Sequence, residues 1–147
     1  AVGDYDYQIP FGKAAIKRAG NDLTVLTYLS MVNHSLEAVE QTGVDAEVID
    51  LRWLDRASID WTTIEASIKK TNAVMIVEQG AQGTSYGSWL SDEIQRRFFD
   101  YLDQPVQRVH GGEASPSISK VLERAAIAKT EEVVAGLKRA AEGFGKY

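Results

Sequence analysis

The 147-residue sequence contains no cysteine. That removes disulfides, thiolate nucleophiles and cysteine metal ligands together, and agrees with a reducing compartment. Histidine is nearly as scarce, His34 and His110 being the only two, and with no acidic cluster to join them a transition-metal site is not expected. Basic charge is in deficit. Sixteen Lys and Arg against 21 Asp and Glu give a net charge of -5 and a pI near 5.0, the opposite of the basic footprint that nucleic acid demands. A basic partner suits such a chain better. Nothing approaches the roughly 18 consecutive apolar residues of a membrane span, so neither nucleic acid nor membrane is expected as a partner. The opening stretch AVGDYDYQIPFGKAA is polar, lacks the apolar core of a signal peptide, and reads as a lead-in segment over residues 1–12.

Catalytic signatures are also missing. Serines are plentiful, but GTSYG has the wrong spacing for the nucleophile elbow G-x-S-x-G. The most suggestive stretch is AVMIVEQGAQGTSYGSW, residues 73–89, where an apolar run ends in a carboxylate and opens into a loop carrying Gly80, Gly83 and Gly87. Loops of this kind cradle phosphates in many α/β proteins. The spacing matches neither G-x-G-x-x-G nor G-x-x-x-x-G-K-[ST], and the strand before it is the third or fourth of its sheet. The glycines therefore read as a tight strand-to-helix turn and a close packing contact. His34 has the spacing of a packed helix face, and His110, followed by Gly111 and Gly112, lies just past a strand's carboxyl end. The pairs Asp92/Glu93 and Glu131/Glu132 read as solvated or helix-start charges.

What is present is an alternation of strands and helices. DLTVLTY (22–28), DAEVIDL (45–51), AVMIVEQ (73–79) and PVQRV (105–109) are apolar runs rich in β-branched residues. Between and after them come SMVNHSLEAVEQTG, with Ser30 as N-cap, Met31, His34, Leu36 and Val39 inward and Gly43 as stop; SIDWTTIEASIKKT, starting near Ser58 or Asp60; SYGSWLSDEIQRRFF, with Trp89, Ile94 and Phe98 inward; and TEEVVAGLKRAAEG, capped by Thr130. A length that suits one domain and a βα alternation predict a mostly parallel sheet covered on both faces.

Taken in order, GKAAIKRAGNDLTVLTYLSMVNHSLEAVE, DAEVIDLRWLD with SID after it, VEQG and FDYLDQPVQRVHG resemble the carboxyl-terminal domain of the beta subunit of thiamine-diphosphate-dependent 2-oxo acid dehydrogenases, the pyruvate dehydrogenase group in particular. The resemblance runs from about Tyr7 to Arg139; transketolase and deoxyxylulose-phosphate synthase carboxyl-terminal domains share the first two stretches more loosely. It implies a three-layer α/β/α sandwich whose mixed sheet is mostly parallel with one antiparallel edge strand. It also implies a domain over residues 13–139 and a tail over 140–147. Gln79 stands where that family commonly has a second glutamate, and LDRASID replaces its LRPLD.

The functional expectations follow from the resemblance. The chain should be an assembly and docking domain, with no catalytic, cofactor-binding or metal-binding residues of its own; thiamine diphosphate and Mg²⁺ belong to the complete enzyme. Its expected partners are an alpha subunit, a second beta subunit and the basic peripheral-subunit-binding domain of the acyltransferase component, in the cytoplasm or the mitochondrial matrix. Gly83, Tyr86, Gly87 and Trp89 are the expected subunit contact, since large rings are favoured at interface cores. Asp103, Arg108, Phe144 and Tyr147 are the expected docking residues for the subunit-binding domain. The alternative is a free-standing domain binding a small molecule near Gln79–Gly83 and His110–Gly112.

Overall fold

A computed structural model describes residues 8–113 and 118–143. Five strands form one sheet: β1 (Ala15–Arg18), β2 (Leu23–Thr27), β3 (Ala46–Asp50), β4 (Val74–Val77) and β5 (Gln107–Val109), in the spatial order β1-β3-β2-β4-β5. β2, β3, β4 and β5 run parallel, and β1 pairs antiparallel with β3 at the edge, its register broken between Ile16 and Arg18. The helices are α1 (Met31–Thr42), α2 (Trp61–Thr71), α3 (Tyr86–Phe98), α4 (Lys120–Ala126) and α5 (Thr130–Glu142). Every residue of β2 and β4 is buried, which requires a cover on both sheet faces.

The pleat divides that cover in two. Leu23, Val25, Val48, Met75 and Val77 face a core completed by Met31, Ala38 and Val39 of α1 and by Val133, Leu137 and Ala140 of α5. Leu26, Ile49, Val74 and Ile76 face the other way, against Ile64 and Ile68 of α2 and Leu90, Ile94 and Phe98 of α3. The result is the three-layer sandwich with one antiparallel edge strand. The buried hydroxyl of Thr24 is satisfied between sheet and helix, shared with Ser67 Oγ and Thr71 Oγ1, both at 2.7 Å.

Several local expectations need correction. The buried stripe of α1 is Met31, Val32, Ser35, Ala38 and Val39, so His34 sits at its flank, half-buried, while Leu36, also half-buried, packs against the same core as expected. His34 Nδ1 lies 2.8 Å from Thr130 Oγ1, whose own proton goes to Glu37 Oε2 at 3.0 Å. The hydroxyl has one proton to give, so the imidazole must donate and His34 ties α1 to α5. Ser30 makes no side-chain cap. In α3 the missed inward residue is Leu90, fully buried, while Trp89 is half-buried. α5 begins one residue earlier than a Thr130 cap would place it, with the Lys129 N–H donating to Glu132 Oε2 at 2.8 Å. Asp60 is the cap of α2: it accepts from the Thr63 N–H at 3.2 Å and from the Ala14 N–H at 3.1 Å, joining the residue just before β1 to the helix. β1 and α4 have no counterpart among the elements that the sequence pattern predicts. β1 exposes Ile16 and Lys17, as befits an edge strand, and α4 buries no residue at all.

Candidate functional site

Chain order reverses direction between β2 and β4: from β2 the chain passes through α1 to β3 on one side, then through α2 across to β4 on the other. In parallel sheets the crevice at the carboxyl ends of two such strands is where ligands bind. Here Tyr28 follows β2 and Glu78 follows β4, and both side chains turn into that crevice.

Glu78 has no solvent exposure. Its Oε2 accepts from the Tyr28 hydroxyl at 2.9 Å and from the Gly87 N–H at 2.7 Å; its Oε1 accepts from the Ser85 hydroxyl at 2.5 Å and from Arg108 Nη2 at 2.8 Å. Arg108 is held in turn, through Nη1 to the Gln82 carbonyl at 2.9 Å and through Nη2 to Ser85 Oγ at 2.8 Å. Gly87 lies in the first turn of α3, so the carboxylate occupies the position where a helix amino terminus would receive a phosphate. The glycine is required by that approach, because a Cβ at position 87 would collide with the Glu78 carboxylate. The glycine-rich loop thus encloses an anion supplied by the chain itself.

The electrostatics follow from the geometry. Burial pushes the Glu78 carboxyl up, but the bonds from Ser85, Arg108, Gly87 and Tyr28 outweigh it and hold the group below the ordinary carboxylate value. Burial, then the charge of Glu78, push the Tyr28 phenol well above its usual value. Tyr86 is pushed up to about 12, chiefly by burial, with Arg56 opposing and Asp55 reinforcing.

Next to this network Gln79 closes a second junction. Its Nε2 donates to the Ala128 carbonyl at 2.6 Å while its Oε1 accepts from the Ala128 N–H at 3.0 Å, a two-way pairing that a glutamate could not make. The Gly111 N–H donates to the Gly80 carbonyl at 3.0 Å and the Gly112 N–H to the Ala126 carbonyl at 2.8 Å. The segments on either side of α4 are therefore pinned over the loop.

The residues expected at a subunit contact gather around this network. Tyr86 and Trp89 are half-buried with ring centroids 5.2 Å apart, Gly87 is buried against Glu78, and Gly83 is exposed with open space around it. The docking residues divide. Asp103 is exposed at the amino ends of the strands, its N–H donating to the Asn72 carbonyl at 2.9 Å, and it borders a cleft with Asp22, Thr71 and Ala73. Arg108 turns to the carboxyl end of β4 and into the Glu78 network, while Phe144 and Tyr147 lie outside the described residues. His110 Nδ1 is 2.7 Å from the Gly111 carbonyl. Among the described residues no group of three His, Asp or Glu side chains could hold a metal ion, and no helix is long and apolar enough to cross a membrane. Glu78 is the residue whose importance the motifs understate; its signal is a carboxylate directly after a fully apolar strand and before a glycine loop.

Fold and site together define a three-layer α/β/α domain whose strand-end crevice is closed by its own buried carboxylate. The chain matches the family described as transketolase, C-terminal domain, over residues 12–133, and belongs to it. It is 37% identical over 139 residues to the mitochondrial pyruvate dehydrogenase E1 component subunit beta of Dictyostelium discoideum, covering 92% of this chain and 38% of that protein. It is 43% identical over 110 residues to the 2-oxoisovalerate dehydrogenase subunit beta of Pseudomonas aeruginosa, covering 75% of this chain and 31% of the relative. The chain thus spans less than half the length of these relatives. In fold it is similar to a split-gene transketolase solved as an inactive beta4 tetramer, with a TM-score of 0.71 and 23% identity over 97% of this chain and 45% of the other.

Proposed function

We propose that this chain is the carboxyl-terminal assembly and docking part of the beta subunit of a thiamine-diphosphate-dependent 2-oxo acid dehydrogenase of the pyruvate dehydrogenase kind. The observation that carries the reading is the similarity to a pyruvate dehydrogenase beta subunit across 92% of the chain. The filled crevice at Glu78 supports it, because a domain that closes its own ligand position is suited to scaffolding. In the complete enzyme thiamine diphosphate with Mg²⁺ supplies the carbanion chemistry that decarboxylates a 2-oxo acid, and it is held by parts other than this chain. The assembly domain comprises residues 13–139, with 1–12 as lead-in and 140–147 as tail. An alpha subunit and a second beta subunit are its partners, with Gly83, Tyr86, Gly87 and Trp89 at a subunit contact. Asp103 and the tail ending in Phe144 and Tyr147 dock the basic subunit-binding domain of the acyltransferase component, which suits a chain of net charge -5. Arg108 stands at the other end of the sheet and holds the loop beside the subunit contact instead. The compartment is the cytoplasm or the mitochondrial matrix.

Reconstitution tests this directly. Mixed with the separately produced amino-terminal part of a beta subunit and with an alpha subunit, the chain should enter a stable complex that decarboxylates a 2-oxo acid. Pyruvate turnover by this chain alone, or submicromolar binding of thiamine diphosphate to it, would overturn the proposal in favour of a free-standing ligand-binding domain.

A further inference from the structure

A cleft of about 630 Å³ opens beside the carboxyl ends of β2 and β3, on the β3 side of the Glu78 network. Its apolar walls are unusually open to solvent: Phe11 is 82% exposed, Leu29 81% and Ile9 54%. Trp53 stands edge-on to Phe11 at 4.9 Å between ring centroids. Leu29 and Arg52 line the cleft with φ values of 53° and 55°. A leucine in left-handed backbone is strained, and at Leu29 that strain is not returned as burial within this chain. The charge is also distinctive. Three cations, Lys13, Lys17 and Arg52, border the cleft with one lining carboxylate, Asp50, which Lys17 Nζ and Arg52 Nε each approach at 3.8 Å, while Lys13 Nζ lies 3.9 Å from the buried Asp60. This is a locally basic apolar surface on a protein of net charge -5.

We propose that this cleft docks a segment of a partner subunit that presents an apolar side chain between carboxylates. The apolar side chain covers Phe11, Leu29 and Trp53, and the carboxylates meet Lys13, Lys17 and Arg52. Covering the walls provides the affinity, and the charges set the association rate and its salt dependence. The inference rests on the assembly reading only in taking the partner to be another subunit.

The test uses the isotopically labelled chain and two synthetic peptides, one alternating glutamate with leucine and the other alternating lysine with leucine. The acidic peptide should shift the amide resonances of residues bordering the cleft, bind less tightly as salt rises, and be unmatched by the basic one. Leu29→Asn keeps the left-handed backbone favourable, so an unchanged melting temperature will show that the variant is folded. It should weaken binding about tenfold or more, as should Lys17→Glu combined with Arg52→Glu. No binding of the acidic peptide, equal binding of the basic one, or affinities unmoved by these variants would overturn the proposal. So would concentration-dependent dimers that Leu29→Asn dissolves and the acidic peptide does not, since a second copy would then cover the cleft. Binding of the acidic peptide to a chain that fails to reconstitute an enzyme would leave the docking surface standing and remove the assembly reading.

Discussion

At Glu78 a carboxylate with no solvent exposure takes donors from Tyr28, Ser85, Gly87 and Arg108, so its charge governs the loop from Gln79 to Ser85. Glu78→Ala should destabilise the fold by about 3–5 kcal/mol in urea denaturation, because it leaves Arg108 without its counter-ion. The pH dependence has a definite sign. The folded pKa lies below the unfolded value near 4.5, so the contribution is complete above that value and is lost as pH falls through the lowered one. Tyr28 works in the opposite sense: its folded pKa lies above the ordinary phenol value of 10.0, so its contribution is complete below that value and disappears as pH rises through the raised one. Urea midpoints measured from acid to alkali should therefore form a plateau with two shoulders. Glu78→Gln should flatten the acid one and Tyr28→Phe the alkaline one. Gly87→Ala should approach the cost of Glu78→Ala, since its methyl group displaces the same carboxylate.

Among the elements, α2 and β1 are coupled through Asp60, which caps the helix and also accepts from the Ala14 N–H. Asp60→Ala should cost about 1–2 kcal/mol and should speed hydrogen exchange at both the first turn of α2 and the β1–β3 ladder. A simple cap would affect only the helix. The junction before α5 depends on an amide. Gln79→Glu should destabilise by about 1–3 kcal/mol, because it turns a donor toward the Ala128 carbonyl into a second acceptor. Exchange at residues 126–130 reports that change, and Gln79→Met, which removes both polar atoms, separates it from the loss of packing. The parallel strands and long helices were legible in the sequence because full burial demands continuous apolar runs and an amphipathic stripe. β1 and α4 were not, because AIKR and KVLERAA direct almost nothing into the core and leave periodicity without a signal.

For the molecule as a whole, the two ends of the sheet carry opposite surfaces. Asp22, Asp45 and Asp103 border the cleft at the amino ends, whereas Lys13, Lys17 and Arg52 border the one at the carboxyl ends. Asp103→Ala should weaken binding of a basic subunit-binding domain several-fold at low salt and less at high salt, as measured by surface plasmon resonance, since exposed charge pairs are screened. Removing residues 144–147 should instead raise the dissociation rate if Phe144 and Tyr147 insert into a pocket of that domain. If affinity is unchanged in both variants at two ionic strengths, docking lies elsewhere on the chain.

The sequence by itself determined the sandwich and the family, because apolar runs, caps and motif order are local properties of the chain. It also marked the position of the key carboxylate, placing Glu78 between an apolar strand and a glycine loop. Only the tertiary structure decided what that carboxylate does. Tyr28 and Arg108 lie 50 and 30 residues away from it in the chain, and no spacing rule brings them to one oxygen pair. The same holds for Arg108, which from the sequence was a surface group near Asp103. Its position on β5 opposite Ile76 directs its guanidinium into the crevice instead, where burial makes pairing with Glu78 the arrangement that satisfies both charges.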